Sequence, residues 1–289
     1  MSWRVVVISS RCKLEYRLGY MVCRGEETKK IFLDEISTLI VESTSVAITS
    51  ALLCELVNNK INVVFCDEKH NPNSQLLPLY GRHDNSGMVR KQLSWRQEIK
   101  EKIWKEIIKN KIYQQHLFMK EIGSDKADLL LQYMGEITDG DKTNREGHSA
   151  EVYFNAIFGM EFKRGDLGII NSALNYGYAI LLSAFNREIV ADGYLTQMGI
   201  CHSNEFNHFN LGCDLMEPFR VLVDRVVFLA KDKEFNIDYK RELCNILNMN
   251  VKIGDKTHTV CDAIGIYTKK ILSALSSENI DDLVFYDLL

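Results

Sequence analysis

The chain has 289 residues, 46% hydrophobic and 26% charged, with a formal net charge of −4. That length holds one large or two ordinary domains around a substantial core, and the balance of apolar to charged residues excludes a disordered or fibrous chain. A mildly acidic protein is not a nucleic-acid binder by bulk charge, so a polyanionic partner requires local basic patches.

The acid excess is local. Residues 146–289 hold thirteen basic and twenty acidic side chains, against ten of each in 1–85, so acidic clusters in the second part are candidate cation ligands. The apolar run from Val5 to Ile8 is too short for a signal peptide, and no stretch reaches the length of a membrane span. A soluble, cytoplasmic protein with no membrane contact is predicted. The eight cysteines never lie closer than eleven positions, which leaves no Cys-x-x-Cys zinc pattern and predicts reduced, mostly buried thiols.

In chain order, residues 4–8, 13–17 and 20–24 are short β-branched or aromatic runs, the last two joined by a hairpin turn at Leu18-Gly19. Residues 30–33 and 38–41 continue the strand pattern. A helix follows over 49–59, with Thr49 as N-cap and Leu52, Leu53, Leu56 and Val57 on one face. Residues 62–66 form a buried strand and 75–80 another, pushed to a sheet edge by Pro78. The polar, glycine-flanked run 81–87 is a linker. Beyond it the period changes to helical: one amphipathic helix over 89–122, its lysines on the face opposite the isoleucines, then 126–137, 143–158, 171–190, 215–230 and 239–247. That lysine face is either solvated or tracks phosphates. Thr143 or Asn144 caps the helix that carries Glu146. A hairpin around Gly254-Asp255 and a helix over 262–275 complete the series. The tail from Ser276, with four acids, is either a partner-binding extension or disordered. The fold class is α+β: a small N-terminal β-rich, β-sandwich-like domain (1–85) with one helix, and a larger α-helical domain (86–289).

The segment 201–224 places His202, Asp214 and Glu217 ahead of an apolar helix. Pro218 lacks an N–H and is tolerated only in a first helical turn, so Asp214 and Glu217 belong to that turn or its cap and can share a face. Capping explains Asp214 as readily as metal binding does. Glu217 beside another acid calls for a cation or for Arg220. His202 sits in a polar turn with Asn204 and Asn207. Taken alone it is an ordinary structural histidine.

A second segment changes that reading. Asn144-Arg145-Glu146-Gly147-His148-x-Ala150-x-x-Tyr153-Phe154, followed by Asn155-x-x-Phe158-Gly159, resembles the glutamate motif of the CRISPR spacer-acquisition integrases. His202-x-Asn204-x-Phe206-Asn207-x-Phe209-Asn210 and Asp214-x-Met216-Glu217-Pro218-Phe219-Arg220 with Asp224 resemble two further blocks. The stretches Val64-Phe65-Cys66-Asp67 and Tyr80-Gly81-Arg82-His83-Asp84 also fit, so the resemblance covers nearly the whole chain. Its flavour is that of systems with a single large RNA-guided effector.

The resemblance implies a catalytic, metal-binding set of Glu146, His202 and Glu217, with Asp214 one shell further out. Glu151 lies about 500° round an ideal helix from Glu146 and points to solvent. Two carboxylates and an imidazole suit Mg²⁺ or Mn²⁺, which activates a hydroxyl or water against a phosphodiester. The implied reaction joins 3′-OH ends of spacer DNA into the CRISPR repeat array, with endonuclease activity from the same site. A covalent tyrosine recombinase is disfavoured because no histidine is followed at +3 by arginine. The implied partners are double-stranded DNA, a second copy forming a homodimer through the N-terminal domain, and a dimer of the small second CRISPR-associated adaptation protein, giving a heterohexamer. Other adaptation factors and the RNA-guided effector are further candidates. Arg82, Arg145, Lys163, Arg164, Arg187, Arg220 and Arg225 are candidate phosphate contacts. The alternatives are a non-catalytic scaffold that holds DNA ends and a general metal-dependent nuclease on branched DNA.

Overall fold

The computed structural model describes residues 4–79 and 81–288. The β-rich part runs β1 (Arg4–Ile8), β2 (Lys13–Arg17), β3 (Tyr20–Arg24), β4 (Thr28–Phe32), β5 (Ile36–Val41), β6 (Ala47–Ile48), α1 (Ser50–Asn58), β7 (Asn62–Cys66) and β8 (Pro72–Leu76). The helical part runs α2 (Asn85–Leu93), α3 (Gln97–Glu121), α4 (Ala127–Gly135), α5 (Arg145–Phe158), α6 (Ile169–Ala191), α7 (Asn210–Met216), α8 (Arg220–Leu229), α9 (Ile237–Cys244), β9 (Asn250–Ile253), β10 (Lys256–Thr259), α10 (Val260–Ser277) and β11 (Asp287–Leu288). The fold is α+β, β-rich first and mostly helical after.

Two sheets build the β-rich part, in the orders β1-β5-β7-β8 and β4-β3-β2-β6. Leu18 and Gly19 both take positive φ (48° and 86°), the backbone that a tight hairpin between right-twisted strands requires. β1, β5 and β7 are parallel, with α1 in the crossover between β5 and β7, and the Thr49 hydroxyl accepts the Leu52 N–H as predicted. Alternation then divides the strands' side chains. Leu39, Val41 and Val63 join Leu14, Met21, Leu52 and Leu56 in one core between the two sheets and α1. Ile40, Val64 and Cys66 face the other way, into the helical core. Being covered on both faces is why every residue of β5 is buried, Ser37 and Thr38 included.

The structure departs from the sequence reading at several places. The strand predicted over 75–80 is β8, Pro72–Leu76: proline occupies its first position, where a missing N–H costs nothing, and β8 is a sheet edge. Tyr80, the end of that predicted strand, lies outside the described residues. The linker over 81–87 is shorter than expected, since α2 starts at Asn85. The single helix over 89–122 is two, because the Ser94 hydroxyl turns back to the Lys91 carbonyl at 2.8 Å and Arg96 is extended (ψ 138°). The tail is neither disordered nor free. β11 pairs with β9, and Tyr286 is fully buried against the helical core. Among the described residues no helix is long and apolar enough to cross a membrane.

Candidate active site

Glu146 stands in the first turn of α5, and a residue outside the predicted cap puts it there. Asp141, in the preceding turn, accepts the N–H groups of Arg145 and Glu146, both at 2.9 Å. Two orphan donors of the helix start are thus satisfied by one carboxylate. Thr143 is not the cap, and Asn144, though at the cap position, makes no capping bond with its side chain and has left-handed backbone (φ 53°). Its amide instead lies over Gly147, where a Cβ would come within 2.7 Å of it.

The helix predicted over 215–230 is three pieces: α7, a 3-10 turn at Glu217–Phe219, and α8. Pro218 has no N–H for the α-helical ladder, so the bonding pattern tightens there. Asp214 therefore sits inside α7 rather than at a cap. It is sealed from solvent, and its carboxylate accepts the backbone N–H groups of Ile200, Cys201 (3.0 Å) and His202 (3.1 Å) and contacts His202 Nδ1. Gly199 makes the wrap possible, since a Cβ there would lie 2.6 Å from the Asp214 Oδ2. The Asp214 contact raises the His202 pKa above its ordinary value against the opposing effect of burial, with Glu217 and Glu146 adding to the rise. The imidazole stands edge-on to Trp104 of α3, ring centres 5.7 Å apart.

Glu146 and Glu217 meet at Lys111, which the sequence reading placed with the exposed lysines of α3. Its buried ammonium is 2.7 Å from Glu146 Oε1 and 2.6 Å from Glu217 Oε2. Arg220 holds the other oxygen of Glu217 at 3.0 Å. Burial works to raise the Glu217 pKa, but Arg220 and Lys111 outweigh it and bring the group down to about 2. For Lys111 the balance is similar: burial lowers its pKa, and Glu217 and Glu146 more than restore it. Glu217 Oε2 is buried with the Lys111 ammonium as its close partner. A buried carboxylate oxygen is stable only with such a cationic partner, so the position is one that holds a cation.

Two further layers hold this centre. The Arg220 guanidinium lies 4.7 Å over the Tyr178 ring, and the Tyr178 and Tyr153 hydroxyls both donate to the buried Asp224, at 2.5 and 3.0 Å. Burial pushes Asp224 up to about 6 despite those two donors. From the other side, the Tyr286 hydroxyl donates to the Pro218 carbonyl at 2.9 Å, its ring packs 4.5 Å from Phe219, and Gln114 of α3 donates to its carbonyl at 2.9 Å.

The structure thus joins Glu146 and Glu217 through one ammonium and sets His202 beside Asp214. Among the described residues no three His, Cys, Asp or Glu side chains already ring a metal ion. The donor set, hard carboxylate oxygens with a nearby imidazole, fits Mg²⁺ or Mn²⁺. An open groove next to His202 is lined by Lys100, Gln197, Ser203 and Asn204, and a neighbouring one by Lys100, Trp104 and Lys142.

The predicted phosphate contacts separate into two groups. Arg220 is in the centre, Arg145 follows Asn144 into α5 and pairs with Glu136 at 2.8 Å, and Arg164 lies 5.4 Å from the same Tyr178 ring that Arg220 covers. Lys163 is exposed beside Arg164. Arg82, Arg187 and Arg225 are held by Asp84, Glu188 and Glu121. Glu151 is exposed, as its helical phase predicted. Sequence reasoning missed Lys111, Asp141 and Tyr286. Lys111 was visible in principle, because it continues the stripe of Ile103 and Ile107 at a spacing of four.

The sequence model of CRISPR associated protein Cas1 matches residues 5–243. A CRISPR-associated endonuclease Cas1 of Neisseria meningitidis is 30% identical over all of this chain and 97% of its own. Among solved structures, a casposase bound to its integration product superposes with a TM-score of 0.78 at 19% identity, covering 97% of this chain and 92% of that one. A chain of a Cas6-RT-Cas1–Cas2 complex superposes at 0.72 and 17% identity, covering 97% of this chain and 36% of its own. The likeness to both structures is one of fold. With a family match over most of its length and a relative spanning all of it, the chain belongs to the CRISPR-associated Cas1 family.

Proposed function

We propose that this protein joins the 3′-OH ends of foreign-derived DNA into a CRISPR repeat array by metal-dependent transesterification, and cleaves branched DNA at the same site. The observation that carries the reading is the convergence of Glu146 and Glu217, from separate helices, on one buried cation. Glu146, Glu217 and His202 would hold Mg²⁺ or Mn²⁺, which when bound polarises the phosphodiester and lowers the pKa of the attacking hydroxyl. Arg220, braced on Tyr178, fixes the Glu217 carboxylate. Asp214 takes the Nδ1 side of His202, so that in the neutral tautomer Nε2 keeps the free lone pair. No side chain is needed as a nucleophile. The activities named for the Neisseria relative and the casposase support nuclease and joining chemistry respectively.

Residues 1–85 are proposed as the dimerisation domain and 86–289 as the catalytic, DNA-binding one. Leu18, Tyr20 and Phe32, exposed on the β2-β3-β4 side, supply an apolar surface for a second copy. The Cas1–Cas2 complex among the structural relatives supports a small second adaptation protein as partner, two dimers of this chain flanking one of that protein. Double-stranded DNA would lie across pooled basic patches that include Arg145, Lys163 and Arg164. The test is a 3′-OH donor and a repeat-containing target with Mn²⁺, resolving joined from cleaved products. The wild type should give joined product, and Glu217→Gln should lower it by about a thousand-fold with the fold intact. Cleavage without joining would support the general nuclease. DNA binding indifferent to Mn²⁺, with neither product, would support the scaffold.

A further inference from the structure

Lys111 is an unusual resident for this position. A buried ammonium needs close anionic partners, and this one draws them from different elements, shared between two carboxylates that are themselves the proposed metal ligands. Without it, Glu146 and Glu217 would face each other with Arg220 as the nearest compensation, and like charges at such range repel. A divalent ion held by Glu146 and Glu217 would need the space that the ammonium fills, and a further positive charge beside Lys111 and Arg220 would add repulsion. Lysine has a compact charge on a flexible four-carbon stem, so it can withdraw where an arginine fork would not. Once displaced it needs a new anion, and open grooves lined by Lys100 and Lys142 lie beside His202, with room for a phosphate chain next to the centre.

Resting on the proposed metal-dependent reading, we infer that Lys111 is a built-in stand-in for the divalent cation, weakening metal binding in the DNA-free protein and coupling metal loading to DNA. In the free protein the ammonium neutralises both carboxylates and competes with the metal. When DNA is present, a phosphate takes over the ammonium and the carboxylates are released to the metal. Because binding linkage is reciprocal, the factor by which DNA tightens the metal equals that by which the metal tightens DNA. Lys111 is a positioning residue in this scheme, and it suppresses idle nuclease chemistry in solution.

The experiment measures Mn²⁺ affinity of the full chain by the paramagnetic resonance signal of the free ion, with and without a short duplex bearing a 3′-OH end. Wild type, Lys111→Met, Lys111→Gln and Glu217→Gln are compared, with melting curves to verify folding. The DNA-free Lys111 variants should bind Mn²⁺ about tenfold more tightly than wild type, and the roughly tenfold gain that DNA gives the wild type should shrink to about twofold or less. Folded variants with unchanged or weaker Mn²⁺ affinity would overturn the inference, as would failure of both to fold even with Mn²⁺, which would make the lysine purely structural. Wild-type binding abolished by Glu217→Gln but unaltered in the lysine variants sinks this inference alone. Equal Mn²⁺ binding by wild type and Glu217→Gln sinks the metal reading and this inference with it.

Discussion

In the β-rich part, Glu15 gathers Lys13, Arg17 and Arg24 on the outer face of β2 and β3, and the core between the two sheets is Leu14, Met21, Leu39 and Leu52, none of them reached by solvent. The helical part buries Lys111, Asp214, Glu217 and Asp224. Among the described residues the β-rich part leaves its charges in water with the exception of Glu42, whereas four are taken out of water where the candidate chemistry lies. Removing an ion from water costs several kcal/mol, and the loss is offset only by close partners on several sides. Each of the four has them: two carboxylates for Lys111, three backbone amides and an imidazole for Asp214, a lysine and an arginine for Glu217, two phenols for Asp224. The helical part therefore holds a pre-organised centre that is more fragile to single substitutions than its β-rich neighbour.

Removing a buried acceptor should break the contrast most. Asp214→Ala strands the amides of residues 200–202, and the loss of stability in urea titrations should be about 3–5 kcal/mol, with the segment bearing His202 exchanging its amide hydrogens far faster. A loss under about 1 kcal/mol would mean that those amides find other acceptors. Next in size is a pH effect. Asp224 has its folded pKa raised from 3.8 to about 6, so between those values the folded state binds more proton than the unfolded. Stability should then fall as pH rises from about 4 to 6, by up to ~3 kcal/mol from this group, and Asp224→Asn should flatten that slope. An unchanged slope in the variant would place its source elsewhere. The smallest effect belongs to the β-rich part. Thr49→Ala removes one cap bond on α1, costing about 1 kcal/mol by thermal melting, with Mn²⁺ affinity unaltered.

Local signals were legible in the sequence wherever one segment decides its own shape. The hairpin at Leu18-Gly19, the Thr49 cap and the hairpin at Gly254-Asp255 follow from backbone demands that lie within a few residues. What escaped was set by partners far along the chain. Lys111 is buried because acids from α5 and the 217–219 turn meet it; its phase on α3 pointed to the core, but its residue type assigned it to water. Asp141 caps α5 from outside the span that a capping motif scans. Asp214 looked like a cap because its loop, 200–202, folds back onto it from twelve residues or more away. The pairing of Glu146 with Glu217 was suggested by the family resemblance and not by spacing.

Tyr286 carries a consequence in time as well as in space. It supports the Pro218 carbonyl across a separation of 68 residues, so a chain under synthesis exposes Glu146, His202 and Glu217 well before the tyrosine that backs them has been made. Folding from the N-terminus onward gives first the β-rich part, then a helical part whose acids are present and whose support is not. A chain released short of Tyr286 would own every acid of the centre and still lack the surface that holds Pro218 in place.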